Sequence, residues 1–557
     1  MVSNTRAKAC ATRGFRVARK PSRLRSTMEP RTPPAAAVLL AVLLALTALG
    51  CAGCADRPPA RGTSCVWIAG RPEPAFDPGG PPDPLRWALE RLLACGLVEE
   101  DSSGTLVPGA AERWEWSADS LALTFHLRPG LVFADGSPCG SVDFRGALCT
   151  GLGREDHGSR AWLLSAVSGV ERVRAGKPLP SLGIETPDLR TLVLRLARRD
   201  PLLPGKLALP GLSAPWSASA SGGWRDAAGL GPYRVLGEEP GRALTLVRRA
   251  GAAGPDTIHV RFQPLAARVL TFLRANAADL VWPLPATLDV AAAPQGFRFG
   301  VRAAEPARTL LLVMRADLPP TSRLATRCAL AHSVNRDRVL ELLGARAGRL
   351  GSWLPGAIPY DFPALDEGQA REWMGRGKLG QAFHVVMGYD ADGAGAAVAR
   401  ALQEEWSRLG IYAELRPLRG PKLARELLGG LSHLALVEEQ PWTHDPAGTL
   451  ASLVMPLRGP AVGAFRTGWR TREFDGLLGP AGGSTFPGPD AAQARLREDL
   501  VVLPLARLPW VWLARVDGSA LSFHPRFGPN CAGGGWSAPA GAVAAGSPGG
   551  PPPPTGR

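Results

Sequence analysis

The chain has 557 residues, of which 45% are hydrophobic and 20% charged, and its net charge is +15. This composition is typical of a globular protein with a sizeable core, and only one apolar run is long enough to be considered a membrane segment, which excludes both a wholly disordered chain and a polytopic membrane protein. Eight basic residues and no acid lie within residues 1–27, and no later basic run carries interleaved aromatic residues, so the charge does not indicate nucleic-acid binding.

The first recognisable segment is the apolar run Ala35–Leu49, which Arg31 precedes. The run is short for a membrane span and has the length of the apolar part of a signal peptide. Translation from Met1 would place an unusually long, arginine-rich segment before the apolar run. We therefore expect Met28 to be the true start and residues 1–50 to be a leader that directs export.

The leader ends in Ala-Leu-Gly followed by Cys51, with a second cysteine at Cys54. Small residues followed by cysteine resemble a bacterial lipobox, in which the thiol is acylated. The alternative is ordinary cleavage beside two incidental cysteines. We expect lipidation at Cys51, since two acyl chains anchor a protein stably where one holds it marginally. Residues 51–62 would then form a tether to a bacterial membrane.

Strand-like and helical patterns alternate beyond the tether, which indicates a mixed α/β protein. In the first half, apolar runs and alternation predict strands at Ser64–Ala69, Leu121–Leu127 with a return at Leu131–Phe133, Thr191–Leu196, Pro232–Leu236, Ala243–Val247 and Asp279–Trp282. Helical patterns cover Pro84–Leu97 and Leu265–Ala275.

The second half begins with a fully apolar strand, Thr309–Met314, and one long helix, Arg323–Leu343, which Gly344 ends. Later segments predict a βαβ unit and further elements at Phe383–Gly388, Ala394–Leu409, Ile411–Leu415, Leu434–Val437, the helix Ala491–Leu500 and the strand-like run Val501–Val516. The tail from Ala538 is rich in Gly, Ala and Pro, which predicts disorder.

Neither cysteines nor histidines form a chemical motif. The nine cysteines are scattered and give no disulfide framework, so most are expected to act as small buried hydrophobic residues. The eight histidines include no HExxH pair, and the sequence has no GxSxG, P-loop or dinucleotide-binding motif. We therefore predict neither an enzyme nor a cofactor or metal site, and we expect His433 and His444 to serve packing.

Six motifs that follow one another over roughly residues 63–520 carry a resemblance to a known family. They are Gly104–Trp116; Leu123–Leu131 with Phe133–Pro138; Gly183–Asp188 with Thr191–Leu196; Gly231–Leu236 with Glu239–Arg242; Leu330–Val339; and Asp445-Pro446. The order and the amino-acid sequences of these motifs resemble those of the extracytoplasmic solute-binding proteins of family 5. These are the peptide-, nickel- and oligosaccharide-binding proteins that feed ABC importers.

The resemblance implies the type II periplasmic-binding-protein fold, in which two α/β lobes joined by a two-pass hinge enclose a ligand. Lobe 1 is expected over 63–302, with an additional subdomain at about 80–190, lobe 2 over 303–500, a return to lobe 1 over 501–537, and the tail over 538–557. The resemblance also implies a monomeric receptor, in the periplasm or at the cell surface, that binds a peptide or another small solute and delivers it to an ABC permease.

Peptide-binding members of the family place an acidic residue three positions before the Asp of an Asp-Pro pair, where it meets the peptide α-amine. A buried ammonium needs such a partner. Here Trp442 stands at that position, before Asp445. Glu438 or Glu439 is an alternative partner for the amine, and Trp442 is suited to stacking on a sugar, an aromatic side chain or a flat ligand. Trp353, in a Pro-containing stretch after the long helix, is a second candidate lining residue.

Structural interpretations of these residues stay open at this point. Asp445 has the pattern of a helix cap before Pro446, Glu438 and Glu439 suit solvated loop positions, and Trp442 suits a packed core. The missing acid, the low-complexity tail and the small number of tyrosines also leave an alternative function. In that alternative the fold acts as a sensor, scaffold or holdase without transport.

Overall fold

We describe the protein from a computed structural model. The described residues are 64–70, 73–74, 76, 83–150, 152, 163–174, 182–217, 223–263, 277–284, 296–302, 308–350, 363–391, 393–418, 431–440, 445, 449–450, 467–469, 473–474, 477, 488–515 and 522–530. All of them belong to the second of two units of the chain, Gly62–Arg557. Cys51, Trp353 and Trp442, together with the predicted helix Leu265–Ala275, lie outside the described residues.

The largest sheet has seven strands and combines the two ends of the described chain. Its strands are β1 (Ser64–Ala69), β8 (Tyr233–Glu239), β9 (Ala243–Arg248), β10 (Thr257–Phe262), β11 (Leu280–Leu284), β12 (Phe297–Arg302) and β18 (Trp510–Arg515). Their order in space is β12-β18-β11-β1-β10-β9-β8, and β1 runs parallel to both of its neighbours. Helix α1 (Pro84–Leu93) packs its apolar face, which includes Leu89 and Leu93, into the core of this sheet.

A second, antiparallel sheet of four strands forms the centre of the subdomain. It contains β4 (Ala111–Trp116), β5 (Ala122–Leu127), β6 (Ile184–Asp188) and β7 (Thr191–Arg195), in the order β4-β5-β7-β6. Around it lie the short pair β2 (Val98–Glu100) and β3 (Leu106–Pro108) with helices α2 (Ser141–Thr150), α3 (Val170–Arg174) and α4 (Leu203–Leu207). Phe125 and Phe144 are fully buried in the core that these elements share.

The third main sheet has five strands and belongs to the other lobe. Its strands are β13 (Thr309–Met314), β14 (Phe383–Asp390), β15 (Ile411–Leu418), β16 (Leu434–Glu439) and β17 (Val502–Arg507), in the order β15-β14-β16-β13-β17. Its helices are α5 (Leu324–His332), α6 (Arg336–Leu343), α7 (Glu367–Arg376), α8 (Gly395–Ser407) and α9 (Gly488–Asp499). Strand β13 has a sheet neighbour on both sides and is buried at all six residues, as its unbroken apolar sequence predicts.

The chain passes twice between the seven-stranded and the five-stranded sheets. The first pass joins β12 to β13, and the second joins β17 to β18. The two passes lie side by side, because the Leu508 amide donates to the Arg308 carbonyl at 2.7 Å. Two adjacent connections of this kind form a hinge between lobes. Strand β17 extends the five-stranded sheet as far as Arg507, beyond the boundary expected at residue 500.

Three sequence-based expectations are wrong in detail. The single helix predicted over Arg323–Leu343 is two helices, α5 and α6, since Asn335 caps the second by accepting from the Arg338 amide at 3.0 Å. Strand β5 has no return strand at Leu131–Phe133, and its partners are β4 and β7. The apolar run Val501–Val516 is not one strand: β17 and β18 lie in different sheets.

A pair of short strands, β19 (Ser522–His524) and β20 (Gly528–Asn530), completes the described chain. Among the described helices, none is both long and apolar enough to cross a membrane. Among the cysteines of the described ranges, Cys65, Cys95 and Cys328 are buried.

Candidate ligand-binding site

The candidate site is built on the segment that leaves the end of β16. This segment meets the opposite lobe at two points. The Gln440 side-chain amide donates to the Pro525 carbonyl, between β19 and β20, at 3.4 Å, which is a long hydrogen bond. Further on, the Asp445 carboxylate lies 3.2 Å from the Lys206 ammonium of α4. The sequence Glu438–Asp445, which carries four of the five predicted ligand-binding residues, therefore bridges the two lobes.

Glu438 is held by groups of the protein itself. Its Oε1 accepts a hydrogen bond from the Ala394 amide, at the start of α8, at 2.8 Å. Its Oε2 forms an ion pair with Arg308, and the two side chains are only 12% and 7% exposed. A helix N-terminus and a guanidinium together satisfy a carboxylate well. Glu438 is therefore tied to the hinge, since Arg308 lies directly before β13, in the first pass between the sheets.

Arg308 connects Glu438 to both passes of the hinge. Its guanidinium carbon lies 4.4 Å from the ring centroid of Trp510, and Nη1 donates to the Pro509 carbonyl at 3.3 Å. Pro509 lies in the second pass and Trp510 is the first residue of β18, whereas Arg308 lies in the first pass. One side chain thus joins the two passes and the end of β16, which fixes their relative positions.

Glu439 is the last residue of β16 and is half-buried, opposite Thr309 of β13 in the strand register. Because successive residues of a strand face opposite sides of the sheet, its side chain leaves the sheet on the side opposite to Glu438. Trp442 and Trp353, the two predicted aromatic lining residues, lie outside the described residues.

Asp445 is buried and belongs to a cluster of three charged side chains. Lys206 lies 2.9 Å from Oδ2 of Asp200 and 3.2 Å from Oδ2 of Asp445. Asp200, Lys206 and Asp445 are 1%, 1% and 3% exposed. The pKa of Asp200 is raised from its ordinary value. Burial is the main cause, Lys206 opposes the rise, and the nearby Asp445 adds to it. The Asp445 backbone carbonyl also accepts from the Thr449 amide at 2.9 Å, so this residue both starts a turn and pairs across the lobes.

His433 lies directly before β16 and forms a hydrogen bond with the protein backbone. Its Nδ1 accepts a hydrogen bond from the Val386 amide at 2.9 Å, and burial lowers its pKa. His444 is outside the described residues. Within the described part of the chain, no group of three or more His, Cys, Asp or Glu side chains is placed to hold a metal ion.

Sequence reasoning missed both cations of the site. Arg308 is 130 positions from Glu438 and Lys206 is 239 positions from Asp445, and pairing over such separations has no local pattern. One signal was available for Lys206, because it stands within the apolar run Leu202–Leu209. A lysine in such a run is rarely buried unless it is paired, so an acidic partner was to be expected.

Comparison with known proteins agrees with this architecture. The family model for bacterial extracellular solute-binding proteins, family 5, matches residues 105–456. The oligopeptide-binding protein OppA of Bacillus subtilis is 22% identical over 417 residues, which are 68% of this chain and 76% of OppA. The probable deoxycholate-binding periplasmic protein YgiS of Escherichia coli is 24% identical over 423 residues, 69% of this chain and 76% of YgiS.

Solved structures show the same fold at low sequence identity. OppA of Haemophilus influenzae in complex with the peptide RPPGFSPFR superposes with a TM-score of 0.72 and 17% identity, covering 85% of this chain and 99% of OppA. AgaA of Agrobacterium tumefaciens in complex with agropinic acid gives a TM-score of 0.70 and 19% identity, covering 84% of this chain and 95% of AgaA.

These findings confirm the type II periplasmic-binding-protein fold, with two lobes, a hinge and an additional subdomain. The family match covers more than half of the chain, and its residues include the hinge strand β13 and the whole of the segment Glu438–Asp445. The protein belongs to the bacterial extracellular solute-binding proteins of family 5.

Proposed function

We propose that this protein is a monomeric receptor, lipid-anchored to a bacterial membrane, that closes on a small solute and delivers it to an ABC importer. It binds its solute without chemical conversion, as the family's description implies. The proposed lobes follow the sheets described above: the seven-stranded and four-stranded sheets form lobe 1, and the five-stranded sheet forms lobe 2. None of the relatives described above supports the alternative of a sensor, scaffold or holdase.

The observation that carries this proposal is the position of the segment Glu438–Asp445. It starts on the five-stranded sheet and contacts the other lobe at Pro525 and Lys206. A segment that both lobes touch changes its surroundings whenever the lobes move on the hinge. A ligand that contacts this segment therefore favours the closed form by its differential affinity for the two forms.

A peptide is the leading ligand class. OppA of Bacillus subtilis and OppA of Haemophilus influenzae are peptide-binding proteins, whereas YgiS and AgaA are associated with deoxycholate and agropinic acid. The family thus accommodates other solutes, and peptide is proposed here because it is named most often among the relatives.

Within the site we assign different roles to the five predicted residues. Trp442 and Trp353 are proposed to form apolar walls against the ligand, and Glu439 to meet a cationic group of it. Glu438 and Asp445 already pair with Arg308 and Lys206. Breaking a buried ion pair to bind a ligand is unfavourable, so we propose that these two carboxylates border the site and act on the hinge and on closure.

The lipid anchor is proposed from the lipobox-like sequence that ends at Cys51. Metabolic labelling of the expressed protein with a fatty acid tests it. Label that is lost in Cys51→Ser and retained in Cys54→Ser supports lipidation at Cys51. Equal labelling of both variants, or no label in the unaltered protein, contradicts it.

Ligand binding is tested by a thermal-shift panel of short peptides, bile salts, sugars and amino-acid conjugates. A ligand at about a hundredfold excess over its dissociation constant raises the free energy of unfolding by about 2.7 kcal/mol. We expect a peptide to give the largest shift and Trp442→Ala to reduce it. Trp373→Ala is the matched control, because Trp373 is a half-buried tryptophan on α7, outside the site. A shift that both variants retain in full contradicts the role of Trp442.

A further inference from the structure

A chain of contacts connects the segment Glu438–Asp445 to the seven-stranded sheet. Gln440 of this segment donates to the carbonyl of Pro525, in the turn between β19 and β20. The same pair of short strands packs on β11, because the ring centroids of Phe523 and Trp282 lie 5.9 Å apart. The Gln440 side chain is thus held against the part of lobe 1 that covers Trp282.

The hinge reaches the same tryptophan from the other direction. Trp510, the first residue of β18, has its ring centroid 5.2 Å from that of Trp282. Arg308 stacks on Trp510 and pairs with Glu438, which lies two residues before Gln440. The contacts therefore form a closed ring that starts and ends on one segment. This ring places Gln440, Trp282 and Trp510 around one part of the boundary between the lobes.

Each of these three side chains carries a buried polar atom to which the described residues offer no hydrogen-bond partner. The atoms are Nε1 of Trp282, Nε1 of Trp510 and Oε1 of Gln440. Trp282 and Trp510 are both 0% exposed. Buried polar groups of native proteins are nearly always paired, and an unpaired one is costly. Three such atoms on one ring of contacts indicate a site for a polar group that comes from outside this part of the chain.

The donor and acceptor roles of the three atoms follow from their chemistry. An indole nitrogen only donates. The Pro525 carbonyl only accepts, so the side-chain nitrogen of Gln440 faces it and Oε1 remains an acceptor. The three atoms thus offer two donors and one acceptor, all of them uncharged. A carboxamide complements this set, because its oxygen accepts two hydrogen bonds and its nitrogen donates, whereas a carboxylate has no hydrogen to donate to Gln440.

We propose that Trp282, Trp510 and Gln440 form a subsite that binds an uncharged amide group of the solute. The inference rests on the proposed function and names the chemistry of one part of the ligand. It implies selectivity, because a peptide with a free carboxylate in this subsite leaves Oε1 of Gln440 without a donor, and a peptide amide does not. A water molecule has the same hydrogen-bonding capacity as the amide, and the test distinguishes the two.

Two variants each remove one hydrogen-bonding group of the subsite, an indole donor in Trp510→Phe and the acceptor in Gln440→Met. Their matched controls lie on α8. Trp406→Phe alters a tryptophan that is also 0% exposed and whose Nε1 has no hydrogen-bond partner among the described residues. Gln403→Met alters a glutamine whose Nε2 donates to the Ala413 carbonyl at 2.7 Å. Circular dichroism melting establishes that each variant is folded.

Isothermal titration calorimetry of the full-length protein in detergent measures the dissociation constants of trialanine and trialanine amide. We expect the amide to bind about tenfold more tightly, as one additional buried hydrogen bond implies. Gln440→Met should bring the two constants together, since its lost contact with Pro525 affects both probes alike. Trp510→Phe should weaken binding of the amide by about tenfold more than Trp406→Phe does. Gln403→Met should keep the full preference.

The proposal is overturned if trialanine binds the unaltered protein as tightly as its amide does, if the preference survives in Gln440→Met, or if neither probe binds. Equal binding of both probes by every variant assigns the three atoms to water and leaves the solute receptor intact. The receptor function itself fails only if, in addition, no compound of the thermal-shift panel binds.

Discussion

Arg308 and Glu438 form an ion pair that joins the hinge to the end of strand β16, although 130 positions separate them in the sequence. Arg308 also contacts Trp510, at the start of β18, and Pro509 of the second pass. This arrangement explains why a carboxylate predicted to bind ligand is directed toward the hinge. The same pair places Glu438, at the start of the candidate segment, beside the connections between the two sheets.

Removal of Arg308 should therefore destabilise the protein strongly. Arg308→Met leaves Glu438 buried without its cation, and breaking a buried pair in this way costs about 3–5 kcal/mol. Urea denaturation measures the free energy of unfolding. The double variant Arg308→Met with Glu438→Gln should lose less than the sum of the single losses, because the two residues share one interaction.

The control for this pair is Glu341→Gln, which alters an exposed ion pair with Arg338 on α6. Its free energy of unfolding should change by about 0.5 kcal/mol or less. Equal effects of Glu341→Gln and Arg308→Met would contradict the role assigned to the hinge pair.

Gly300 of β12 is required by the close approach of Trp512. A Cβ atom at this position would lie 2.0 Å from Cε2 of Trp512, whose ring stacks on Phe523 with centroids 4.0 Å apart. Gly300→Ala should lower the free energy of unfolding by about 1–3 kcal/mol, as overpacking does. Gly375→Ala on α7 is the opposite case, because nothing lies within 4 Å of its Cβ and alanine favours a helix. Thermal melting of both variants distinguishes them, and equal melting temperatures would contradict this account of Gly300.

Asn335 caps α6, and its loss should weaken that helix. Asn335→Ala removes the side-chain acceptor of the Arg338 amide, which costs about 1 kcal/mol. Asn335→Asp keeps an acceptor and should restore most of the stability. Chemical denaturation of the two variants measures the difference. If the alanine variant is as stable as the aspartate variant, the cap does not explain the break between α5 and α6.

His433 should make the stability of the protein depend on pH near neutrality. Burial lowers its pKa, and its Nδ1 accepts from the Val386 amide, so the folded protein holds the imidazole neutral. The unfolded chain, with a histidine pKa of about 6.5, binds a proton first as the pH falls. The stabilising contribution is therefore present above about pH 6.5 and is lost as the pH falls below it.

His433→Gln provides the test, because its side-chain oxygen accepts the same hydrogen bond and does not titrate. Calorimetric melting temperatures of the unaltered protein should fall more steeply between pH 7.5 and 5 than those of the variant. Parallel curves for the two proteins would show that His433 does not contribute to the pH dependence.

The sequence predicted the sheet-forming segments better than their partners. Thr309–Met314 is a strand because an unbroken apolar run suits a central position of a sheet. The return strand predicted after β5 is absent, and β5 pairs with β4 and β7 instead. A local pattern cannot predict such partners, because strand pairing depends on the packing of the whole subdomain. The division of the predicted long helix at Asn335 could have been predicted, because asparagine favours a helix N-cap over a helix interior.

The candidate segment was located from its motif, but the partners of its carboxylates were not. Glu438 and Asp445 lie in the same short segment, yet one pairs with Arg308 at the hinge and the other with Lys206 of the opposite lobe. These pairings depend on how two lobes meet, which alternation and spacing within one segment do not encode. Glu438 and Asp445 therefore have different partners in the structure, although the sequence assigned both to the ligand.

Native mass spectrometry of the gently purified protein, followed by denaturation and refolding, tests the central claim that it is a solute receptor. We predict a complex with one co-purified small molecule, whose mass is lost on unfolding and whose identity names the ligand class. A mass equal to that of the protein alone, together with no thermal shift across the ligand panel, would contradict the claim.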